Sequence, residues 1–327
     1  MALFDVFRIL AAATVGYALE LDSGGQAHVA GEQRKVYSVG DLHGDFEHFQ
    51  VILTRTGLAT FDSAGKAHWT GGNAILVSTG DTVDRGEHGR SIYIAFQELA
   101  KQAAEVGGEV VNIVGNHELM NLQGDLRYVA SSEMSRAGEY GGEKQRQQEW
   151  SRVGMIGADI RKRFVAAAVR EGIAFVHGGL DPSVLNQYGS LEALNAKVRE
   201  LFDQETVTFN HKLFGQKGPF WYRFLADGPE RKACPLVQET LQILGAKRMV
   251  VGHTPQESGV ATRCSAPDGD PQLILGDTII SKAYERSFGF SRPSAVEYSG
   301  KSVTALYFPE NRDAPERVVL HAGSSEL

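Results

Sequence analysis

Five short apolar runs recur along the chain, and each gives way at once to glycine and polar residues: Lys35 to Val39 (KVYSV), Ala74 to Ser78 (AILVS), Val110 to Val114 (VVNIV), Ile173 to Val176 (IAFV) and Arg248 to Val251 (RMVV). Short, β-branched and almost uninterrupted hydrophobic runs suit strands buried on both faces. Helical periodicity lies between them. Phe46, Phe49, Ile52 and Leu53 form one apolar stripe, and Ile92 to Val106, Ile160 to Arg170 and Leu191 to Phe202 read as further amphipathic helices. Val303 to Phe308 and Arg317 to Leu320 read as late strands. Strands alternating with helices predict an α/β layered fold whose strand C-terminal ends gather their loops on one rim, and that rim is where a site is expected.

The polar clusters that end the five runs are spread from Asp41 to His253, so no cut between them leaves a complete set on either side. This predicts one domain over residues 34–323, preceded by an N-terminal segment and linker over 1–33. Within the domain, residues 121–159 read as a cap or insert. Its centre, Ser131 to Trp150 (SSEMSRAGEYGGEKQRQQEW), is charged and glycine-punctuated, which predicts a solvated helix or cap over the site edge, not core. Asp22 to Gln33 reads as linker and Ser324 to Leu327 as a tail.

The N-terminus leaves two readings open. Ile9 to Ala18 is a short apolar stretch followed by a small-x-small form at Gly16-Tyr17-Ala18, as in a cleaved signal, but Asp5 sits where positive charge belongs. The compartment is open with it: cytoplasm, or the lumen of the secretory pathway. The stretch is too short for a membrane span, which needs about 20 apolar residues. A net charge of −7 with no basic block argues against nucleic acid as a partner. Cys234 and Cys264, too few for a disulfide framework and without zinc-ribbon spacing, read as ordinary thiols.

The clusters themselves carry the chemistry: Gly40-Asp41-Leu42-His43-Gly44-Asp45, Gly80-Asp81-Thr82-Val83-Asp84-Arg85-Gly86, Gly115-Asn116-His117-Glu118, His177-Gly178-Gly179 and Gly252-His253-Thr254. Asp41 and His43 stand two apart, so extended chain points both the same way. A carboxylate and an imidazole suit Mn, Fe or Zn better than Mg or Ca. Asp81 can bridge two ions, and Asn116, His177 and His253 can hold the second. Such a pair activates a bridging water for in-line attack on phosphorus. The leaving oxygen then needs a proton, for which His117 is the candidate acid, with Asp84 holding its other ring nitrogen. Arg85 offers a planar fork that matches phosphate oxygens. Two divalent ions outweigh Asp41 and Asp81, so a phosphate dianion is attracted despite the acidic chain.

In that order, the five clusters resemble the phosphoprotein phosphatases within the calcineurin-like metallophosphoesterases, over about Val36 to Tyr284. Gly115 to Val129 (GNHELMNLQGDLRYV) and Val250 to Gln256 (VVGHTPQ) resemble, more narrowly, the Shewanella-like protein phosphatases. The resemblance implies a four-layer α/β fold, a central β-sandwich flanked by helices. It implies Asp41, His43 and Asp81 as ligands of a first metal, and Asp81, Asn116, His177 and His253 as ligands of a second. It also implies His117 as acid with Asp84, and Arg85 and Asn116 as phosphate contacts. The second phosphate arginine of eukaryotic members has no direct counterpart. Arg223, in Gly218-Pro219-Phe220-Trp221-Tyr222-Arg223, is its substitute, with a core aromatic segment as the plainer alternative. Gly276 to Tyr284 stands where those members carry a Ser-Ala-Pro-Asn-Tyr loop, which implies insensitivity to okadaic acid and microcystin.

The expected activity is therefore hydrolysis of phosphoserine, phosphothreonine or phosphotyrosine monoesters in a phosphorylated protein or peptide. A bis-nucleoside tetraphosphate hydrolase is the second reading. A catalytically silent phosphate-binding module is the third, disfavoured because no expected ligand is missing.

Overall fold

The computed structural model describes residues 34–323 together with the strands β1 (Leu19–Leu21) and β2 (Ala27–Val29). The chain divides into two compact units, 1–34 and 35–327. In the first, β1 and β2 pair antiparallel. The stretch Asp22 to Gln33 is thus not only linker: it carries one strand of a small hairpin. Ala27-His28-Val29 alternates over just three residues, too short a run to stand out against its glycine neighbours. The apolar stretch Ile9 to Ala18 and the tail Ser324 to Leu327 lie outside the described residues.

The second unit is built on two mixed sheets. In the first, β3 (Val36–Val39), β6 (Ile75–Ser78) and β7 (Glu109–Asn112) run parallel, and β13 (Ser294–Ser299), β14 (Ser302–Tyr307) and β15 (Glu316–His321) extend it antiparallel, in the order β15-β14-β13-β3-β6-β7. In the second, β9 (Ile173–Val176), β10 (Arg248–Val251) and β12 (Pro271–Leu275) run parallel, with β8 (Ala167–Arg170) and β11 (Ala261–Ser265) antiparallel at the edges, in the order β11-β12-β10-β9-β8. A small hairpin, β4 (Ala59–Phe61) with β5 (Ala67–Trp69), stands apart.

Three hydrophobic clusters show how these layers stack. Val36, Ile75, Val77, Val111 and Val296 of the first sheet pack with Ile173, Phe175, Val250 and Ile274 of the second, so the sheets face each other across a shared core. On the outer face of the first sheet, Phe49, Ile52 and Leu53 of α1 (Phe46–Arg55) and Ile92, Phe96 and Leu99 of α2 (Gly89–Glu105) pack on Tyr37, Val39 and Leu76. The outer face of the second sheet is covered by α5 (Met155–Arg163), α6 (Pro182–Tyr188), α7 (Leu191–Phe202), the short α8 (Phe224–Asp227) and α9 (Glu230–Leu244). The result is the expected helix, sheet, sheet, helix sandwich. It follows from strands that are apolar on both sides: β3, β6, β9 and β10 are buried at every position.

Three further expectations change. The run Ile160 to Arg170 is helical only to Arg163; its second half is β8, paired with β9 in the register Arg170 to Ile173. The turn decides this. Glu171 (φ 50°) and Gly172 (φ 72°) both take left-handed backbone, the two-residue turn that matches strand twist and enforces a hairpin. Cys234 and Cys264 are not free thiols but a disulfide, their Cα atoms 5.1 Å apart. Thirty residues separate them, and only the packing of α9 on β11 brings them together. Third, Ser131 to Trp150 is not wholly solvated. Its helix α4 (Glu143–Trp150) is polar, yet Arg146 and Trp150 are buried, as are Glu133 and Tyr140 before it. The buried stripe is a single i,i+4 pair, and one of its two members is an arginine, so it has no hydrophobic periodicity to read.

Candidate metal centre and acid site

The parallel strands of both sheets end on the same rim. There β3 delivers Asp41 and His43, β6 delivers Asp81, Asp84 and Arg85, and β7 leads through Gly115 into α3 (Asn116–Leu122); β9 and β10 deliver His177 and His253. The loops are tightly made. Among the described residues nine non-glycine positions have positive φ, and six of them are Asp41, His43, Asp81, Asp84, Arg85 and His253. Left-handed backbone costs an L-residue about 1–2 kcal/mol. It persists here because neighbouring loops fix it: Asp41 and His43 donate their N–H groups to the carbonyls of Gly80 and Asp81 at 3.0 and 2.9 Å. Two glycines are required by proximity. A Cβ on Gly115 would stand 2.2 Å from Asp81 Oδ1, and one on Gly252 would stand 2.2 Å from Asp41 Oδ2.

Two candidate metal-binding groups result, His43 with Asp81 and His117, and Asp81 with His177 and His253, the ligating atoms within each lying within 4.8 Å of one another. Asp81 belongs to both. Its Oδ2 is 3.6 Å from His43 Nε2 while its Oδ1 is 3.4 Å from His177 Nε2. The ring tautomers suit this use. His43 Nδ1 lies 3.1 Å from the Val83 carbonyl and His177 Nδ1 lies 2.8 Å from that of Thr79, so each donates there and leaves Nε2 facing Asp81. Asn116 Oδ1 sits 2.9 Å from His177 Nε2. Asp41 joins the ring through Oδ1, which accepts the His253 N–H at 2.9 Å.

Whether cations fit can be judged from what is left unpaired. Asp41 Oδ2 and His253 Nε2 are buried without a hydrogen-bond partner, a costly arrangement for a site meant to stay bare. Burial, with Asp277 and Asp81 nearby, pushes the Asp41 carboxyl well above the usual range, as expected of a carboxylate short of positive charge. Burial and the neighbouring His177 and Arg223 depress His253 to about 2, and burial with His117 depresses His43 to about 3, which keeps both rings neutral as ligands must be. The residues present fit two cations.

His117 is set differently. Its Nδ1 is 2.8 Å from Asp84 Oδ2, and its Nε2 turns toward Asp81 Oδ2 at 3.9 Å. Burial alone would depress this ring, but the charge of Asp81 and the Asp84 hydrogen bond outweigh it and raise its pKa. Arg85 is exposed at the mouth, its guanidinium 3.9 Å over the Tyr128 ring and its N–H bonded to the Tyr128 carbonyl at 2.9 Å. Arg223 stands beside His253, where its guanidinium donates to the His253 carbonyl and lies 3.4 Å from His253 Nδ1. A cleft of about 520 Å³ opens beside Arg85 toward Phe46, Gln50, His88 and Lys282.

Residues 34–257 match the calcineurin-like phosphoesterase family. The chain is a calcineurin-like phosphoesterase. It is 34% identical over 253 residues to an uncharacterised protein of Schizosaccharomyces pombe, covering 76% of this chain and 74% of that one. Shewanella-like protein phosphatase 2 of Arabidopsis thaliana is 28% identical over 281 residues, 71% of this chain and 68% of that protein. Among solved structures, the cold-active protein-tyrosine phosphatase of a psychrophilic Shewanella superposes with a TM-score of 0.69 at 24% identity, over 88% of this chain and 81% of that one, which establishes the common fold.

All the residues nominated from the sequence of this phosphoesterase reach one rim, but several that shape it were not nominated. Glu118, fully buried, accepts the N–H groups of Asp81, Thr82 and Gly115 at 3.0, 2.7 and 2.7 Å, and so holds the loop of the carboxylate that both groups share. Its place three residues past Gly115 in a glycine-led helix start was the available signal. Tyr284 reaches His43 Nε2 with its hydroxyl at 3.1 Å. Asn121, one turn after His117, donates to both Asp84 Oδ1 and the His117 carbonyl at 2.9 Å. No helix among the described residues is long and apolar enough to cross a membrane.

Proposed function

We propose that this phosphoesterase is a protein phosphatase of the Shewanella-like type, acting on phosphoserine, phosphothreonine or phosphotyrosine with two ions drawn from Mn, Fe and Zn. The observation that carries the reading is Asp81, whose two oxygens face separate histidine groups while His117, backed by Asp84, stands beside them. Cations held by Asp41, His43, Asp81, Asn116, His177 and His253 would supply an activated water and neutralise charge on the phosphoryl group. The chain's own residues do the remainder. Arg85, its plane steadied on Tyr128, takes two phosphoryl oxygens in its fork and sets the phosphorus in line, with Arg223 and Asn116 closing the other side. His117 donates Nδ1–H to Asp84 and, as the imidazolium that the charges of Asp81 and Asp84 favour, carries a second proton on Nε2, which it delivers to the departing serine, threonine or tyrosine oxygen. The phosphatase named among the relatives supports a phosphoprotein substrate.

The test is hydrolysis of matched phosphoserine, phosphothreonine and phosphotyrosine peptides beside a dinucleoside tetraphosphate, before and after chelation and with Mn restored. Release of phosphate from at least one peptide, lost on chelation and regained with metal, is the expected result. Turnover of the dinucleotide but no peptide would reverse the assignment, and turnover of nothing at all would leave only a binding module.

A further inference from the structure

The insert that caps the rim sends one buried cation beneath the acid. Arg146 of α4 is 1% exposed, and it lies among Asp84 and Glu133, both at 0%, and Asn121 at 5%. Its terminal nitrogen donates to Asn121 Oδ1 at 2.7 Å and stands 3.8 Å from Asp84 Oδ1, while its Nε donates to Glu133 Oε2 at 3.1 Å. Tyr140 and Trp150, joined by an indole-to-hydroxyl hydrogen bond of 3.1 Å, flank the guanidinium at 5.3 and 5.2 Å. The chain of contacts runs without a gap from Glu133 through Arg146 and Asn121 to Asp84 and His117.

Burying an arginine this completely costs several kcal/mol, and stability alone would be served as well by an apolar residue of similar size. What an apolar residue could not do is fix Asn121. With its Oδ1 held by Arg146, the Asn121 amide is orientated so that Nδ2 must face Asp84 and the His117 carbonyl. Asp84 in turn receives Asn121 on one oxygen and His117 on the other, so the direction of its carboxylate is set from the insert's side. We propose that Arg146 is a positioning residue for leaving-group protonation: it orients Asn121 and Asp84 so that His117 presents its Nε2 proton to the departing oxygen. This rests on the phosphatase reading above.

The decisive readout is the ratio of kcat on a phosphoserine peptide to kcat on p-nitrophenyl phosphate, whose leaving group needs little protonation. In R146M the peptide rate falls about 10–100-fold, no more than the lower end of what general acid catalysis supplies, and the nitrophenyl rate falls less than about threefold, with KM little changed on either. R146K, which keeps a cation in the same space but loses the planar fork, lowers the ratio by a smaller factor. It also serves as the variant to read if R146M shows no cooperative thermal unfolding. In an H117N background the R146M change no longer moves the ratio, because the two residues act in series. A folded variant that loses both rates equally, or whose ratio still falls in the H117N background, overturns the proposal and leaves Arg146 a structural residue. Wild-type protein active on both substrates keeps the phosphatase reading whichever way Arg146 behaves; wild-type protein that turns over neither substrate with Mn refutes that reading, and the proposal with it.

Discussion

The strand-tip loops and the insert over residues 121–159 both supply buried charge to the same rim, but in opposite ways. The loops put their side chains directly into the site, from backbone held at positive φ and locked by Glu118 and by amide-to-carbonyl ties between neighbouring loops. The insert reaches the rim less directly: Tyr128 lies against His117 and Arg85, Asn121 donates to the His117 carbonyl, and an ordinary helix places a single guanidinium behind Asp84. Atoms that meet the phosphate group must be placed to a fraction of an ångström, which short rigid segments achieve. Atoms that only steer another side chain can come from a longer, mostly solvated segment. On the proposed reading the loops carry what the reaction requires, and the insert carries what adjusts it.

This division can be attacked at graded depths. Asp81→Asn strikes the one carboxylate shared by both groups, and activity on phosphopeptide and nitrophenyl phosphate should fall together by about 10³-fold or more, roughly 4 kcal/mol of transition-state stabilisation. Metal analysis of the purified variant should show depletion of both ions; full retention of two would deny Asp81 its bridging place. His117→Asn should be next, about 10²–10⁴-fold on phosphoserine peptide and under tenfold on nitrophenyl phosphate. Equal losses would mean that His117 serves as a metal ligand, as its membership of the first group allows. Arg85→Ala should cost about 1.5–3 kcal/mol in kcat/KM, about 10–150-fold, chiefly through KM. A change confined to kcat would show that the guanidinium engages the phosphoryl group only in the transition state and not in the bound substrate. The mildest effect on catalysis is expected at the disulfide. Cys234→Ser opens a 30-residue loop, worth about 3–4 kcal/mol of stability by chain entropy, while kcat stays within about twofold. Chemical denaturation and steady-state rates on one sample would separate the two effects, and an unchanged midpoint would show that the link contributes nothing.

The same division explains what could be read before the structure was seen. The layered α/β fold was legible because its strands are apolar on both faces and its helices on one, and because each strand ends in glycine next to Asp, Asn or His. The convergence of Asp41 and His253, 212 residues apart, was legible only through the order of the motifs. Arg146 was not legible at all: its neighbours in α4 are polar, and a buried arginine leaves the same trace in sequence as an exposed one. Two other misreadings share that cause. Nothing local in Cys234 or Cys264 reports that α9 lies on β11, and the apolar residues after Arg163 fit helix or strand equally until the Glu171-Gly172 turn settles the matter.

His253 N–H to Asp41 and His177 Nδ1–H to the Thr79 carbonyl are bonds between opposite halves of the sandwich, one partner on each sheet. The rim thus behaves as a vernier for the two sheets: a slip of one past the other by a single residue, about 3.4 Å, would exceed the span of any hydrogen bond there. Warming that loosens the contact between Phe175 and Tyr298, whose rings lie 6.0 Å apart in the shared core, should silence turnover before secondary structure melts.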